Sequence, residues 1–398
     1  MNPNLSCYFW EGFKPSDVEL DDETIHIHLE PDSNYLPICS GCHQPQQVVH
    51  DSTIRRIREA DCIGLRTTLI LPIRRVSCAH CGVRVEALPW LTRYARITQR
   101  LCHQVEALVR LLPIKHVAEL THLHWDTIRQ IDKQRLSREV TEPDWSQVKR
   151  LIMDEFAIHK GHRYATVIIN ADNQQVLWVC MGSRRVDVRA FFQHLGQHCE
   201  HIEAVAMDMN AAFDLEVKLH CPRAEVVYDL FHVVAKYGRE VIDRVRVERA
   251  NELQHDKEAR KLVKGSRWLL LKNRHNLKPE QAVSLDELLQ ANHPLSVVYI
   301  LAEQLKSIWR ADTVWTAFKR WREWQRQVEQ SSLAQLNLFA KRLKPYLRGI
   351  LAAAKYRLNT SGIEGMNNKI KVIKRMAYGY RDKDYFFMKI KAAFPGNP

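Results

Sequence analysis

Two short segments, Cys39-Ser40-Gly41-Cys42 and Cys78-Ala79-His80-Cys81, constrain this chain more than anything else in it. A Cys-x-x-Cys turn presents two thiolates to one side, and two such turns supply the four sulfurs of a closed tetrahedral Zn²⁺ site, held in part by turn amides. The stretch from His43 to Ser77 must then form its own strands or hairpin before returning to the second pair. Ten cysteines in 398 residues are too dilute for a disulfide scaffold, and neither pair stands at a strand-to-helix junction of thioredoxin type. A structural zinc is therefore expected on Cys39, Cys42, Cys78 and Cys81, with His43 and His80 as the neighbours able to substitute.

Charge narrows what the rest of the chain meets. Lys plus Arg exceed Asp plus Glu by 59 to 46, a net +13, and the excess is uneven. Residues 236–398 hold 33 basic and 16 acidic side chains, whereas 151–235 hold 7 and 11. A locally acidic segment inside a basic protein suits a carboxylate metal site surrounded by surfaces that hold nucleic acid. No apolar run is long enough to span a membrane and the N-terminus lacks the pattern of an export signal, so the cytoplasm is the expected compartment. There is no internal repeat, low-complexity tract or Walker-type phosphate loop, which leaves an ATP-driven mechanism without support.

Periodicity divides the chain. Residues 24–90 read as short strands and turns around the cysteine pairs, and Thr98 to Glu142 as helices interrupted at Pro113 and around Thr121. Ile114 to Leu120, a turn at Thr121 to His124, and Trp125 to Leu136 have the proportions of a helix-turn-helix, with Ile128 and Ile131 inward and Arg129, Lys133 and Arg135 outward. On this reading Arg129 and Lys133 meet DNA; a plain helical linker is the competing reading, since no glycine marks the turn. From Leu151 to Tyr228 three apolar strands, a helix, a strand, a helix and a strand describe a mixed α/β sheet, and after Phe231 the chain reads as helix to about Arg357.

Asp154 closes the first of those strands and Asp208 the fourth. Neighbouring parallel strands would bring both carboxylates to one sheet edge, where hard oxygen ligands favour Mg²⁺, although an aspartate at a strand end is by itself usually a turn former. The third element is Asn359-Thr360-Ser361-Gly362-Ile363-Glu364-Gly365-Met366-Asn367-Asn368-Lys369-Ile370-Lys371, a turn into a helix with Glu364 in its first turns. The order Asp154, Asp208, Glu364, with this succession of strands and helices, resembles the DDE transposases of bacterial insertion sequences, and most closely the family written IS-L-three. Met153-Asp154-Glu155-Phe156, Met207-Asp208-Met209, Asp229-Leu230-Phe231-His232 and the block from Asn359 to Asp382 carry the resemblance, which spans nearly the whole chain.

The resemblance implies a multidomain α/β plus α protein. A zinc-binding domain (1–92) and a helix-turn-helix region (93–148) precede an RNase H-like mixed sheet (149–235), a large helical insertion (236–355) and a closing part that bears Glu364 (356–398). It implies a metal triad of Asp154, Asp208 and Glu364 holding two Mg²⁺ or Mn²⁺ ions, with 155 residues between the last two acids accommodating the insertion. Asp229 and His232 would support that site or pair in the core, and Glu155, on the opposite face of its strand from Asp154, is expected to be structural. Partners would be double-stranded DNA, as transposon ends and target, and a second protomer or more. Fourteen basic residues against three acids lie between Lys341 and Lys391, and Lys369, Lys371, Lys374 and Arg375 follow Glu364 closely enough to line a DNA path. Of Trp309, Trp315, Trp321 and Trp324, most are expected in the core and one or two exposed. Two alternatives remain: a structure-specific nuclease on the same fold, and a transposase-derived DNA-binding regulator, which would have no need of three acids at these junctions.

Overall fold

Both cysteine turns hang from one five-stranded sheet. A computed structural model of the chain describes residues 9–159, 163–358 and 361–397, which divide into two units, Met1–Thr141 with Ile373–Met388 and Glu142–Val372 with Lys389–Pro398. In the first unit β1 (Phe13–Asp21), β2 (Thr24–Pro31), β3 (Val49–Cys62), β4 (Leu65–Cys78) and β5 (Gly82–Val85) pair in the order β1-β2-β4-β3, with β5 also on β4. The long β3–β4 hairpin is the excursion that the cysteine spacing demands. It turns at Ile63 and Gly64, both at positive φ (52° and 81°), a backbone twist that matches the strands it joins. Phe13, Leu29, Ile57, Leu69 and Leu71 bury one face against Trp90. Strand β1 was not legible in the sequence, because beyond Phe13 and Lys14 it is exposed along its length and shows no alternation.

Three helices follow in the same unit: α1 (Gln99–Leu111), α2 (Ile114–Thr121) and α3 (Trp125–Glu139). Thr98 caps α1 by accepting from the Leu101 amide, and Leu101, Val105, Val109, Val117, Ile128 and Ile131 form the core. The α2–α3 turn needs no glycine because His122 itself takes the left-handed conformation (φ 54°), while His124 caps α3 through the Asp126 amide. Arg135 corrects one expectation. It lies seven residues after Ile128, hence on the same inward stripe, and is only 5% exposed, bonded to the fully buried Asp132 at 2.6 and 3.0 Å. The Tyr385 hydroxyl donates to the other oxygen of Asp132, which ties the 373–388 segment to α3.

In the second unit β6 (Arg150–His159), β7 (Arg163–Asn170), β8 (Val176–Met181), β9 (Ala204–Met207) and β10 (Glu225–Tyr228) form a sheet of order β10-β9-β6-β7-β8. The β6–β7 and β7–β8 pairs are antiparallel; β6–β9 and β9–β10 are parallel. Interior β9 is buried at every residue, as expected of a strand covered on both faces. Helices α4 (Arg185–Leu195) and α5 (Ala211–His220) contribute Val188, Phe191, Phe192, Leu195, Phe213 and Val217 to the core. This is the expected RNase H-like mixed sheet.

The helical remainder is α6 (Leu230–Tyr237), α7 (Asp243–Glu252), α8 (Lys257–Gly265), α9 (Arg267–Leu271), α10 (Pro279–Ala291), α11 (His293–Trp309), α12 (Val314–Gln330), α13 (Ala334–Leu343), α14 (Leu347–Tyr356), α15 (Ser361–Met376) and α16 (Lys383–Ala393). Trp321 and Trp324 are core, Trp309 donates to the Tyr228 carbonyl at 2.9 Å, and Trp315 is 62% exposed. Helix α14 packs so close to β10 that a Cβ at Gly349 would fall 2.5 Å from the Tyr228 ring. Among the described residues no helix is long and apolar enough to cross a membrane. Asn359 and Thr360, which open the Glu364 block, lie outside the described residues.

Candidate metal centres and DNA-binding residues

The four cysteine sulfurs lie within 4.8 Å of one another. Cys42 Sγ and Cys78 Sγ are 3.6 Å apart, close to the edge of about 3.8 Å that a tetrahedron of 2.3 Å zinc–sulfur bonds would have. A Cβ at Gly41 would stand 2.8 Å from Cys81 Sγ, so this turn position is kept free for the closing sulfur. The amides of Cys42 and Gly41 draw the Cys39 thiol down to about 7, whereas burial pushes Cys81 up to about 12. Four adjacent thiols cannot all ionise unless a cation compensates them, and the donor set is that of a structural Zn²⁺.

The second centre follows from strand register. Arg150, Leu151 and Ile152 of β6 face Ala204, Val205 and Ala206 of β9, and Val227 and Tyr228 of β10 face Ala206 and Met207. Continued past the last paired residues, the first register sets Asp154 beside Asp208, and the second sets Asp229 beside Asp208. The Asp229 amide bonds to the Met207 carbonyl at 2.9 Å, which carries the β9–β10 pairing that far. Three carboxylates thus stand level, Asp208 and Asp229 just past the carboxyl ends of β9 and β10, the edge at which open α/β sheets bind ligands, and Asp154 within β6. Asp154 does not close its strand as expected, because β6 continues to His159 on its antiparallel pairing with β7. Asp229 also caps α6 by accepting from the Phe231 amide, and this capping aims His232 back at the row: its Nε2 is 3.8 Å from Asp229 and 4.0 Å from Asp154.

The electrostatics of this row are strained without a cation. Burial raises the carboxyl of Asp154, countered in part by a 2.7 Å hydrogen bond from Asn367 Nδ2. Burial also raises Asp208, with His232 opposing and the Asp154 charge adding. Asp208 Oδ1 and Asn367 Oδ1 are buried oxygens that accept no hydrogen bond, each a state that costs about 1–3 kcal/mol. Clustered carboxylates with orphaned oxygens are the hard donor set of Mg²⁺ or Mn²⁺, so the residues present fit such an ion.

Glu364 does not complete the cluster in this conformation. It is exposed on α15, and among the described residues the four cysteines are the one group of three or more His, Cys, Asp or Glu ligands within 4.8 Å of one another. It sits three residues before Asn367, which does reach Asp154, so one helix carries both. Glu155 accepts from Asn210 Nδ2 at 2.6 Å, and after burial and that bond the Asp208 charge is the next influence on its carboxyl.

The basic residues are partly engaged. Lys133 is 2.6 Å from Asp382 and Arg129 4.0 Å from it, Arg129 also holding Asp126 at 2.8 Å. Lys369 donates to the Ala393 carbonyl at 2.8 Å and Lys371 approaches Asn368 at 3.4 Å; Arg375 is exposed and Lys374 half-buried. Sequence reasoning missed Asn367 and Asp382. Nothing local marks either as functional, since each is revealed only by a partner far away in the sequence.

Three family models match the chain in succession: a zinc-finger of transposase IS204/IS1001/IS1096/IS1165 over residues 36–81, a helix-turn-helix domain of transposase family ISL3 over 86–136, and a transposase domain over 151–390. Zinc cluster, helix-turn-helix and mixed sheet thereby define a DDE transposase. The chain belongs to transposase family ISL3. The transposase for insertion sequence element IS1001 of Bordetella parapertussis is 51% identical over 393 residues, 98% of this chain and 97% of that one. The transposase for insertion sequence element IS1557 of Mycobacterium tuberculosis is 25% identical over 396 residues, 91% of this chain and 86% of that one. The Drosophila P element transposase strand transfer complex aligns with a TM-score of 0.38 and 11% identity over 74% of this chain and 91% of that chain, too loose a likeness to carry an argument.

Proposed function

We propose that the protein binds the terminal inverted repeats of its own insertion sequence and cuts and joins DNA strands there, with Asp154, Asp208 and Glu364 as the metal-holding triad. The observation that carries this reading is the level row of Asp154, Asp208 and Asp229 across three adjacent strands, with a buried Asp208 oxygen left without a donor. Two divalent ions, Mg²⁺ or Mn²⁺, supply when bound the activation of a water or 3′-hydroxyl and the stabilisation of the leaving oxygen. Asp154 and Asp208 bind from the sheet and Glu364 from α15, which must bring its exposed carboxylate to the row. His232 is placed to hold a proton or a phosphate oxygen beside Asp154 and Asp229. No serine or tyrosine nucleophile is required.

End recognition belongs to the zinc finger and the helix-turn-helix, with Arg129 and Lys133 on α3 and Lys369, Lys371, Lys374 and Arg375 on α15 as phosphate contacts. Bringing two ends together takes a homodimer or higher multimer, working in the cytoplasm on the nucleoid. The test is strand cleavage of a fragment bearing the gene's flanking repeat. Metal-dependent nicking at the repeat boundary, absent on a shuffled sequence, supports the reading; nicking indifferent to the repeat indicates a general nuclease, and binding without nicking a regulator.

A further inference from the structure

We propose that Asn367 is a ligand of the divalent cation: its amide nitrogen holds the Asp154 carboxylate while its amide oxygen is offered to the metal. The inference rests on the reading that Asp154 and Asp208 hold that ion, and it adds a residue that the order of the three acids does not contain.

A carboxylate can only accept hydrogen bonds, so the contact of 2.7 Å to Asp154 fixes which end of the Asn367 amide faces it: Nδ2 donates. The other end, Oδ1, is then committed to a direction, and there it is buried and accepts nothing. An asparagine recruited only to steady Asp154 would leave its oxygen to water or to a donor. Asp208, the neighbour of Asp154 in the strand register, has a buried oxygen in the same condition. Both orphaned acceptors belong to residues next to Asp154, and a hard cation is the kind of partner that satisfies amide and carboxylate oxygens together.

The helix supplies the geometry. Residues three apart on α15 share a face, so Asn367 and Glu364 move as one piece. With Asn367 anchored on Asp154, the helix that carries Glu364 is held beside the row. Asn367 thus indexes the Glu364 helix to the sheet as well as contributing an oxygen. A neutral amide does this without adding a fourth negative charge beside Asp154, Asp208 and Asp229.

The experiment is a Mn²⁺ titration of the full-length, zinc-loaded protein, followed by the paramagnetic resonance signal of the free ion. Asp208→Asn identifies the binding that belongs to this site, and Asn367→Ala should raise its dissociation constant roughly 10–100-fold, with the metal-free melting temperature near that of the parent. Asn367→Ser, which stays polar but withdraws the amide oxygen, should show the same loss and serves if the alanine variant does not fold. Parent-like Mn²⁺ affinity in either folded variant, with the site lost in Asp208→Asn, overturns the role of Asn367 and leaves the triad reading standing. A parent protein showing no Mn²⁺ binding that Asp208→Asn removes overturns both.

Discussion

Asp154 and Asp208 could be picked out from the sequence because each ends a run of apolar residues, where a charge has to have a reason. Asp229 carries the same signature after Val226-Val227-Tyr228, yet only the register shows it level with the other two. The cysteines were fully legible, since two Cys-x-x-Cys turns leave few arrangements open. Asn367 was not, because an asparagine inside a helix is ordinary until its partner is known. Full-length protein purified without oxygen should hold about one equivalent of zinc per chain. Cys81→Ser should lose most of it and melt the Cys39–Val76–Cys78 cluster at lower temperature. Elemental analysis checks this, and less than half an equivalent in the parent would contradict the assignment.

At the scale of elements, helices α4 and α5 are fastened by a buried ion network rather than by apolar contact alone. Glu216 is fully buried and takes Arg185 at 2.7 Å and Arg189 at 2.9 Å, and these guanidiniums, Arg189 foremost, hold its carboxyl down to about 2. A depressed carboxyl stabilises the fold above its unfolded value, near 4.5, and that stabilisation is lost as the pH falls towards 2. Glu216→Gln should therefore cost about 1–3 kcal/mol near neutrality, reduced by the partial exposure of both arginines. Urea unfolding from pH 7 to 3 would show the parent and variant converging in acid; a constant gap would contradict the network. Element order in the sheet was legible because short apolar runs alternated with helical periods, whereas β1 and the Asp382 contact to α3 were not, the first lacking a buried face and the second joining residues some 250 positions apart. That contact makes a prediction of its own. Asp382 neutralises Lys133 and approaches Arg129, so Asp382→Ala should raise DNA affinity at low salt and steepen the dependence of log K on log salt by roughly 1. Fluorescence anisotropy across a salt series decides it, and an unchanged slope would mean that these cations do not reach phosphate.

The whole molecule divides its labour along the chain. The neutral first segment carries the zinc finger and the helix-turn-helix, the acidic middle carries the carboxylate row, and the strongly basic remainder carries Glu364 and most of the positive charge. The helices between β10 and α15 explain how 155 residues can separate Asp208 from Glu364 without breaking the sheet, since they extend the sheet's own core through Trp321, Trp324 and Phe339. The most direct test of the account is cleavage at the repeat boundary by the parent and by Asp208→Asn, with end binding measured in the same samples. The account predicts that the variant binds the end as the parent does but cuts it more slowly by roughly 10²–10³-fold or more. A variant that still cuts at the parent's rate would contradict the carboxylate row as the seat of the chemistry.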